Sequence, residues 1–229
     1  MKTDFYCMKT FDIIYFKGHI LFDNGDGLVL VDTGSPTSFH ESGVLKLGDE
    51  TLTVPTSFMG VNTSYISRNV GMEVKGLLGM DYIGMHDTLV DLPGGKVVFD
   101  SSRIGFKRVP SFFAGCAGIV INVNGRDARM YLDTGAPTSY ISRRFTEGET
   151  PCERKKDFSP FSPTDIFETD IYYLETTFAD ETFRMEAGTL PPEMGMMLTA
   201  FGVDGVAGLE IFKRMPVLFA GGMILIPEK

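Results

Sequence analysis

Asp32 and Asp133 are the side chains whose type and setting point most directly to chemistry in this 229-residue sequence. Asp32 sits in Leu30-Val-Asp-Thr-Gly-Ser-Pro-Thr-Ser-Phe39, and Asp133 sits in Tyr131-Leu-Asp-Thr-Gly-Ala-Pro-Thr-Ser-Tyr140. From Asp32 to Ser38 one position differs from the second copy, Ser35 against Ala136. Two carboxyls brought within a few ångströms cannot both ionise, so they share a proton. One is then a base and the other an acid at the same pH. Such a pair can activate a water and protonate a leaving group, which is the requirement for hydrolysing an amide. Each Asp has to reach a common point on a tight loop. Gly34 and Gly135 let the backbone come close and present N–H groups to the carboxyls.

The surrounding sequence repeats in the same order. Upstream of each Asp lies a strand pair. The first is His19-Ile-Leu-Phe22 with Leu28-Val-Leu-Val31, and the second runs Ile119 to Val123 and Arg126 to Leu132 across Asn124-Gly125. Asn-Gly between apolar runs is a strong hairpin signal. Downstream, Gly48-Asp-Glu-Thr51 matches Ala179-Asp-Glu-Thr182, and Gly76-Leu-Leu-Gly79 matches Gly205-Val-Ala-Gly208. Each copy closes on a Gly-Gly hairpin, at Gly94-Gly95 and Gly221-Gly222. The segments are short, β-branched or aromatic, and divided by Gly, Asn and Pro. This pattern predicts an all-β chain of two similar lobes, 1–109 carrying the Asp32 loop and 110–229 carrying the Asp133 loop. The only good helix candidates are Met80 to Met85 and Leu209 to Met215.

The doubled Asp-Thr-Gly, each followed by two apolar residues and a glycine, resembles the aspartic peptidases of the pepsin-like and retropepsin-like group. The resemblance covers nearly the whole chain, and each half looks like one retropepsin-like protomer. It implies two pseudo-symmetric acid-protease β-barrel lobes with the active site at their interface. By resemblance, Asp32 and Asp133 are catalytic. Thr33 and Thr134 bond the opposite loop, Gly34, Ser35, Gly135 and Ala136 support the carboxyls, and Gly79 and Gly208 let the chain pass beneath. The implied partner is an extended peptide or protein substrate, with no cofactor and no metal. A protease-shaped peptide-binding or regulatory protein without turnover stands as the alternative. A divalent cation held by the two carboxylates is weakened by the lack of a third oxygen ligand at useful spacing.

Composition narrows the field further. A net charge of −9 argues against nucleic acid, whose phosphates call for a basic face. No apolar run approaches the roughly 18 residues of a membrane helix. No secretory leader is evident, so a cytoplasmic location is expected. Cys7, Cys116 and Cys152 form no disulfide or metal pattern, and His19, His40 and His86 are isolated. The basic group Arg143, Arg144, Arg154, Lys155 and Lys156 reads as a solvated loop. Met194-Gly-Met-Met197 reads as core filler, or as the wall of an apolar subsite.

The two copies also differ, and the differences carry expectations. Asp32 to Asp49 spans 17 residues (49 − 32), whereas Asp133 to Asp180 spans 47 (180 − 133). The second copy thus holds an insertion at about 142–173. By resemblance that interval carries a substrate-covering flap, with its tip at Phe158, Ser159, Pro160 and Phe161 and the N-terminal lobe nearly bare. Ser35 has a hydroxyl that Ala136 lacks. A donor to Asp32 is expected to give it more of the shared negative charge and to leave the proton on Asp133. One chain supplies both carboxylates, so a monomer is expected. Phe11 to Phe16, Val97 to Phe99 and Met223 to Ile226 are expected to form a sheet beneath the lobes.

Overall fold

The computed structural model describes residues 8–158 and 166–228, and the fold is mostly β. A five-stranded sheet runs in the order Ile14–Phe16, His19–Asp23, Leu28–Val31, Gly76–Leu78, Phe39–His40. An eight-stranded sheet repeats this order with Ser111–Ala114, Cys116–Val123, Arg126–Leu132, Gly205–Ala207 and Ser139–Ile141, then adds Glu181–Thr189, Ile166–Phe178 and Glu153–Phe158. Asn122 and Val123 also pair with Thr177 and Thr176, which curls this sheet back onto itself as a barrel. The hairpin turn at Asn124-Gly125 has φ of 50° and 77°. Two successive left-handed residues make the turn that matches strand twist, and glycine takes that conformation without strain.

In both sheets the strand leading into the Asp lies parallel to the strand of the later apolar pair. Leu77 faces Leu30 and Leu78 faces Val31. Val206 faces Tyr131 and Ala207 faces Leu132. A parallel pair covered on both faces needs continuous apolar sequence rather than alternation, which is what Leu28-Val-Leu-Val31 supplies. The six-stranded sheet then interleaves the two halves of the chain, in the order Lys9–Asp12, Lys96–Phe99, Thr88–Asp91, Val217–Ala220, Met223–Pro227, Phe106–Arg108. Of the segments expected there, Ile14–Phe16 is elsewhere: it pairs with His19–Asp23 in the five-stranded sheet. Lys17 and Gly18 turn there with φ of 45° and 80°, so the chain folds straight back on the next strand.

Among the described residues there are four α-helices: α1 (Thr63–Val70), α2 (Met80–Ile83), α3 (Pro192–Ala200) and α4 (Leu209–Arg214). Helices α2 and α4 fall where the sequence placed them, but α1 and α3 correct the expectation of two helices. Both carry weak signals. Helix α1 is Thr-Ser-Tyr-Ile-Ser-Arg-Asn-Val, held by its Asn62 cap on the Tyr65 N–H and a left-handed Gly71. Helix α3 contains Gly195 and buries only Leu198. The two helices cover equivalent clusters beside the Asp loops. Ile66 and Val70 pack with Leu30, Phe39 and Leu77. Leu198 packs with Tyr140, Val203 and Val206. The main core runs beneath, where Phe22, Phe99, Ile119, Phe212 and Phe219 are essentially inaccessible. Each such side chain contributes roughly 1.5–3 kcal/mol by leaving water.

Candidate active site

Each Asp-Thr-Gly turn is hung from the strand beside it. The Asp32 N–H donates to Leu78 O at 3.0 Å, and the Asp133 N–H donates to Ala207 O at 2.9 Å. Gly79 and Gly208 follow at once and press on the loops: a Cβ at Gly79 would lie 2.8 Å from Ser35 O, and one at Gly208 would overlap Ala136 O. Their N–H groups bind the Oγ atoms of Ser38 at 2.9 Å and Ser139 at 3.1 Å. The next residues, Met80 and Leu209, donate N–H to Ser35 O at 2.8 Å and Ala136 O at 3.1 Å.

The two loops are tied to each other through their threonines. The Thr33 N–H donates to Thr134 Oγ1 and the Thr134 N–H donates to Thr33 Oγ1, both at 3.0 Å. Each hydroxyl in turn donates across, Thr33 to Leu132 O at 2.6 Å and Thr134 to Val31 O at 2.7 Å. Both threonines have zero exposure, so water cannot replace these bonds. A hydroxyl that accepts and donates at one atom is what this reciprocal arrangement needs.

The carboxyls meet at the same place. Oδ1 of Asp32 accepts N–H from Gly34 at 3.0 Å and Ser35 at 3.1 Å, and Oδ1 of Asp133 accepts from Gly135 at 2.7 Å. The two side chains hydrogen-bond to one another. A Cβ at Gly34 would overlap the Asp133 carboxyl, and one at Gly135 would lie 2.8 Å from Asp32 Cγ. Burial pushes both acids above the usual carboxylate range, and for Asp32 the charge of Asp133 pushes further in the same direction. The pair therefore holds a proton where isolated carboxylates would have lost it.

The proton belongs to the pair rather than to either carboxyl. Gly34, Gly135 and Ala136 all favour the charged form of Asp133, against Gly34 and Ser35 for Asp32. The Ser35 hydroxyl does not assist, because it donates to Thr37 O at 2.9 Å and closes its own turn. Serine satisfies a nearby carbonyl more readily than it reaches back past its own N–H.

Similarity to known proteins is confined to structures. The chain is similar to the simian foamy virus (mac) protease, with a TM-score of 0.31 and 15% identity over 40% of this chain and 87% of the viral one. It is similar to a retropepsin-like aspartic protease from Rickettsia conorii, with a TM-score of 0.38 and 10% identity over 53% of this chain and 90% of the other. No protein-family profile matches the chain, and no curated sequence does. What decides the chemistry is the geometry of the two loops.

A cleft opens over the carboxyls, and both halves of the chain line it. Phe58, Met59 and Val61 come from the hairpin Ser57–Phe58/Val61–Asn62, so the first half is not bare as expected. This cover follows the Asp49-Glu-Thr hairpin, so the interval Asp32 to Asp49 could not reveal it. From the second half come Phe158, Phe167 and Met194, and the Phe158 ring meets Tyr65 of α1 at 6.5 Å between centroids. Ser159, Pro160 and Phe161 lie outside the described residues, as does Cys7. The basic run Arg154, Lys155 and Lys156 is a strand rather than a loop, and pairs with Glu168 on the adjacent strand and Glu186 on the strand beyond it.

Several residues that line the cleft or bond its loops escaped the sequence. His19 is 5% exposed, and burial lowers its basicity. Tyr140 donates to Asp157. The Cys116 thiol donates to Gly34 O at 3.2 Å, and burial pushes it up to about 12, with Asp133 and Asp32 adding to the rise. The flanking Asp-loop repeat marks Tyr140, but nothing in the sequence separates Asp157 from the charged run around it. Among the described residues no three His, Cys, Asp or Glu side chains converge as metal ligands. Among them, too, no helix is long and apolar enough to cross a membrane.

Proposed function

We propose that the chain is an aspartic endopeptidase of retropepsin-like form, with two pseudo-symmetric β-barrel lobes, 1–109 and 110–229, joined in one polypeptide. Asp32 and Asp133 are its catalytic pair, at the interface of the lobes, and the unit works as a monomer on an extended peptide. The observation that carries this reading is the reciprocal threonine bonding. It holds two carboxyls from distant parts of the chain in hydrogen-bond contact, with backbone donors aimed at both.

The chemistry follows from the single shared proton. A water lying between the carboxyls loses a proton to the ionised carboxyl of the pair as its oxygen attacks the peptide carbonyl carbon. The protonated carboxyl gives its proton to the carbonyl oxygen, so the tetrahedral species is a neutral diol. The first carboxyl then returns a proton to the amide nitrogen, the C–N bond breaks, and the second recovers its proton from the diol. Proton transfers of this kind typically contribute 10²–10⁴-fold each. The walls from Phe58, Met59 and Phe158 keep bulk water off the pair, which strengthens every charge interaction inside.

Cleavage of a proteome-derived peptide mixture, read by mass spectrometry, tests the reading. Internal cuts that vanish in Asp133→Asn are expected. Binding of peptides with no cuts at any pH between about 3 and 8 would make this a peptide-binding protein instead.

A further inference from the structure

The walls of the cleft differ in kind. From the first half of the chain come the apolar side chains Leu30, Phe39, Phe58, Ile66 and Leu77, and also Tyr65. From the second half come Tyr140 and Asp157, set among Pro137, Phe167 and Met194, and His19 of the first half lies within reach of the Asp157 charge. Among the described lining residues Asp157 is the one carboxylate beyond the catalytic pair, and no Lys or Arg is present.

Among the described residues no lysine or arginine pairs with Asp157. Its Oδ2 accepts from the Tyr140 hydroxyl, and its Oδ1 accepts the Phe158 N–H at 2.8 Å. Both donors are neutral, and a carboxylate has about four acceptor positions, so two remain. The cations next to it in sequence are committed elsewhere, Lys155 to Glu186 and Glu153, and Lys156 to Glu168. His19 is the neighbouring titratable group; burial lowers its basicity and the charge of Asp157 works against that. Its Nδ1 is buried with no partner. A buried polar atom without a partner costs free energy unless something binding there satisfies it.

We propose that Asp157, supported by Tyr140 and His19, forms a subsite that selects a lysine or arginine side chain of the substrate, opposite the apolar wall; this rests on the peptidase reading above. The aliphatic stem of such a residue lies along Phe167, Met194 and Pro137 while its charged head reaches Asp157. A charge-assisted hydrogen bond in a cleft shielded from water is among the stronger polar contacts available. The chain's charge of −9 attracts a basic peptide and repels an acidic one. The scissile bond then lies between an apolar and a basic residue.

Peptides with a central Phe, flanked on either side in turn by Lys, Arg, norleucine, Gln or Glu, test this. Norleucine keeps the lysine stem and removes the charge. Wild type is expected to prefer Lys or Arg over norleucine by about tenfold or more in kcat/KM on one side, with Glu poorest. Asp157→Asn keeps an acceptor for Tyr140, yet is expected to bring the Lys:norleucine ratio close to one, and Asp157→Glu to restore part of it. Each ratio is taken within one preparation, so partial misfolding cancels. A ratio near one in wild type, or one unchanged in Asp157→Asn, overturns the subsite. Fluorescence-anisotropy binding of the same peptides to Asp32→Asn separates the two ideas. Lysine-selective binding with no turnover in wild type overturns the peptidase reading alone. Turnover without lysine selectivity overturns the subsite alone, and no binding of any peptide overturns it too.

Discussion

The loop at Asp32 and the loop at Asp133 make the same bonds at nearly the same lengths, 3.0 and 3.0 Å between the threonines and 2.6 and 2.7 Å to the strand carbonyls. The segments that reach over them do not correspond at all. In the first half the cover is Ser57–Phe58/Val61–Asn62, placed after the hairpin that contains Asp49. In the second half it is the strand Glu153–Phe158, placed before the hairpin that contains Asp180. The loops must position a shared proton, and that geometry calls for Asp, a hydroxyl side chain and Gly in that order. The covers need only to exclude water and shape the cleft, and different lengths of chain can do that. The two halves are thus equal in chemistry and unequal in recognition.

The equality is broken most severely at the carboxyls. Asp32→Asn and Asp133→Asn are each expected to lower kcat by about 10⁴-fold or more, in peptide assays run side by side. Thermal melting gives the opposite sign. Burial raises the folded pKa of both acids, so the folded state gains stability from holding the proton, and that gain is lost as pH rises from the unfolded value near 4 through the folded one. At pH 7 Asp32→Asn is therefore expected to melt higher than wild type, on the order of 2–8 °C. The difference should shrink below about pH 4. A lower melting point at pH 7 would mean that the pair is not a buried, proton-sharing one.

Thr33→Val and Thr134→Val probe the tie between the halves. Each removes two cross-loop bonds and strands two buried groups, which costs about 2–4 kcal/mol. Equal losses are expected in denaturant melts, since neither threonine is exposed. Thr33→Ser should recover most of the loss. A loss confined to one of the two valine variants would show that the halves are not equivalent here.

The covers are expected to behave differently from each other and more mildly. Phe158→Ala removes a ring that meets Tyr65 across the cleft and should lower kcat/KM by about tenfold. Met59, 72% exposed at a hairpin tip, should matter less, at about threefold for Met59→Ala. The smallest effect belongs to Ser35→Ala. The hydroxyl is spent on Thr37 O, so the acidic limb of the kcat/KM profile should stay in place. A shifted limb would restore the hydroxyl to Asp32.

The sequence made the equal parts legible and hid the unequal ones, for a physical reason. A loop that tolerates one composition repeats its letters, so Asp32-Thr-Gly34 and Asp133-Thr-Gly135 announced both the strands before them and the Gly79 and Gly208 strands beneath. Helices α1 and α3 repeat in place but not in letters. One is stabilised by a cap and the other by a single buried Leu198, and neither presents a long apolar stripe. The Ser57–Asn62 hairpin was invisible because the comparison of intervals ended before it. Asp157 lay within a charged run, and only its bond to Tyr140 and its place in the cleft set it apart.

The central claim is that one chain supplies both acids of one site. Mixing equal amounts of purified Asp32→Asn and Asp133→Asn protein, then following peptide turnover, tests it most directly. The account predicts no recovery at any concentration, because every cleft in the mixture retains one Asn, while wild type keeps constant specific activity on dilution. Recovery of a substantial part of wild-type turnover on mixing, growing with concentration, would contradict it, since the working pair would then come from two chains.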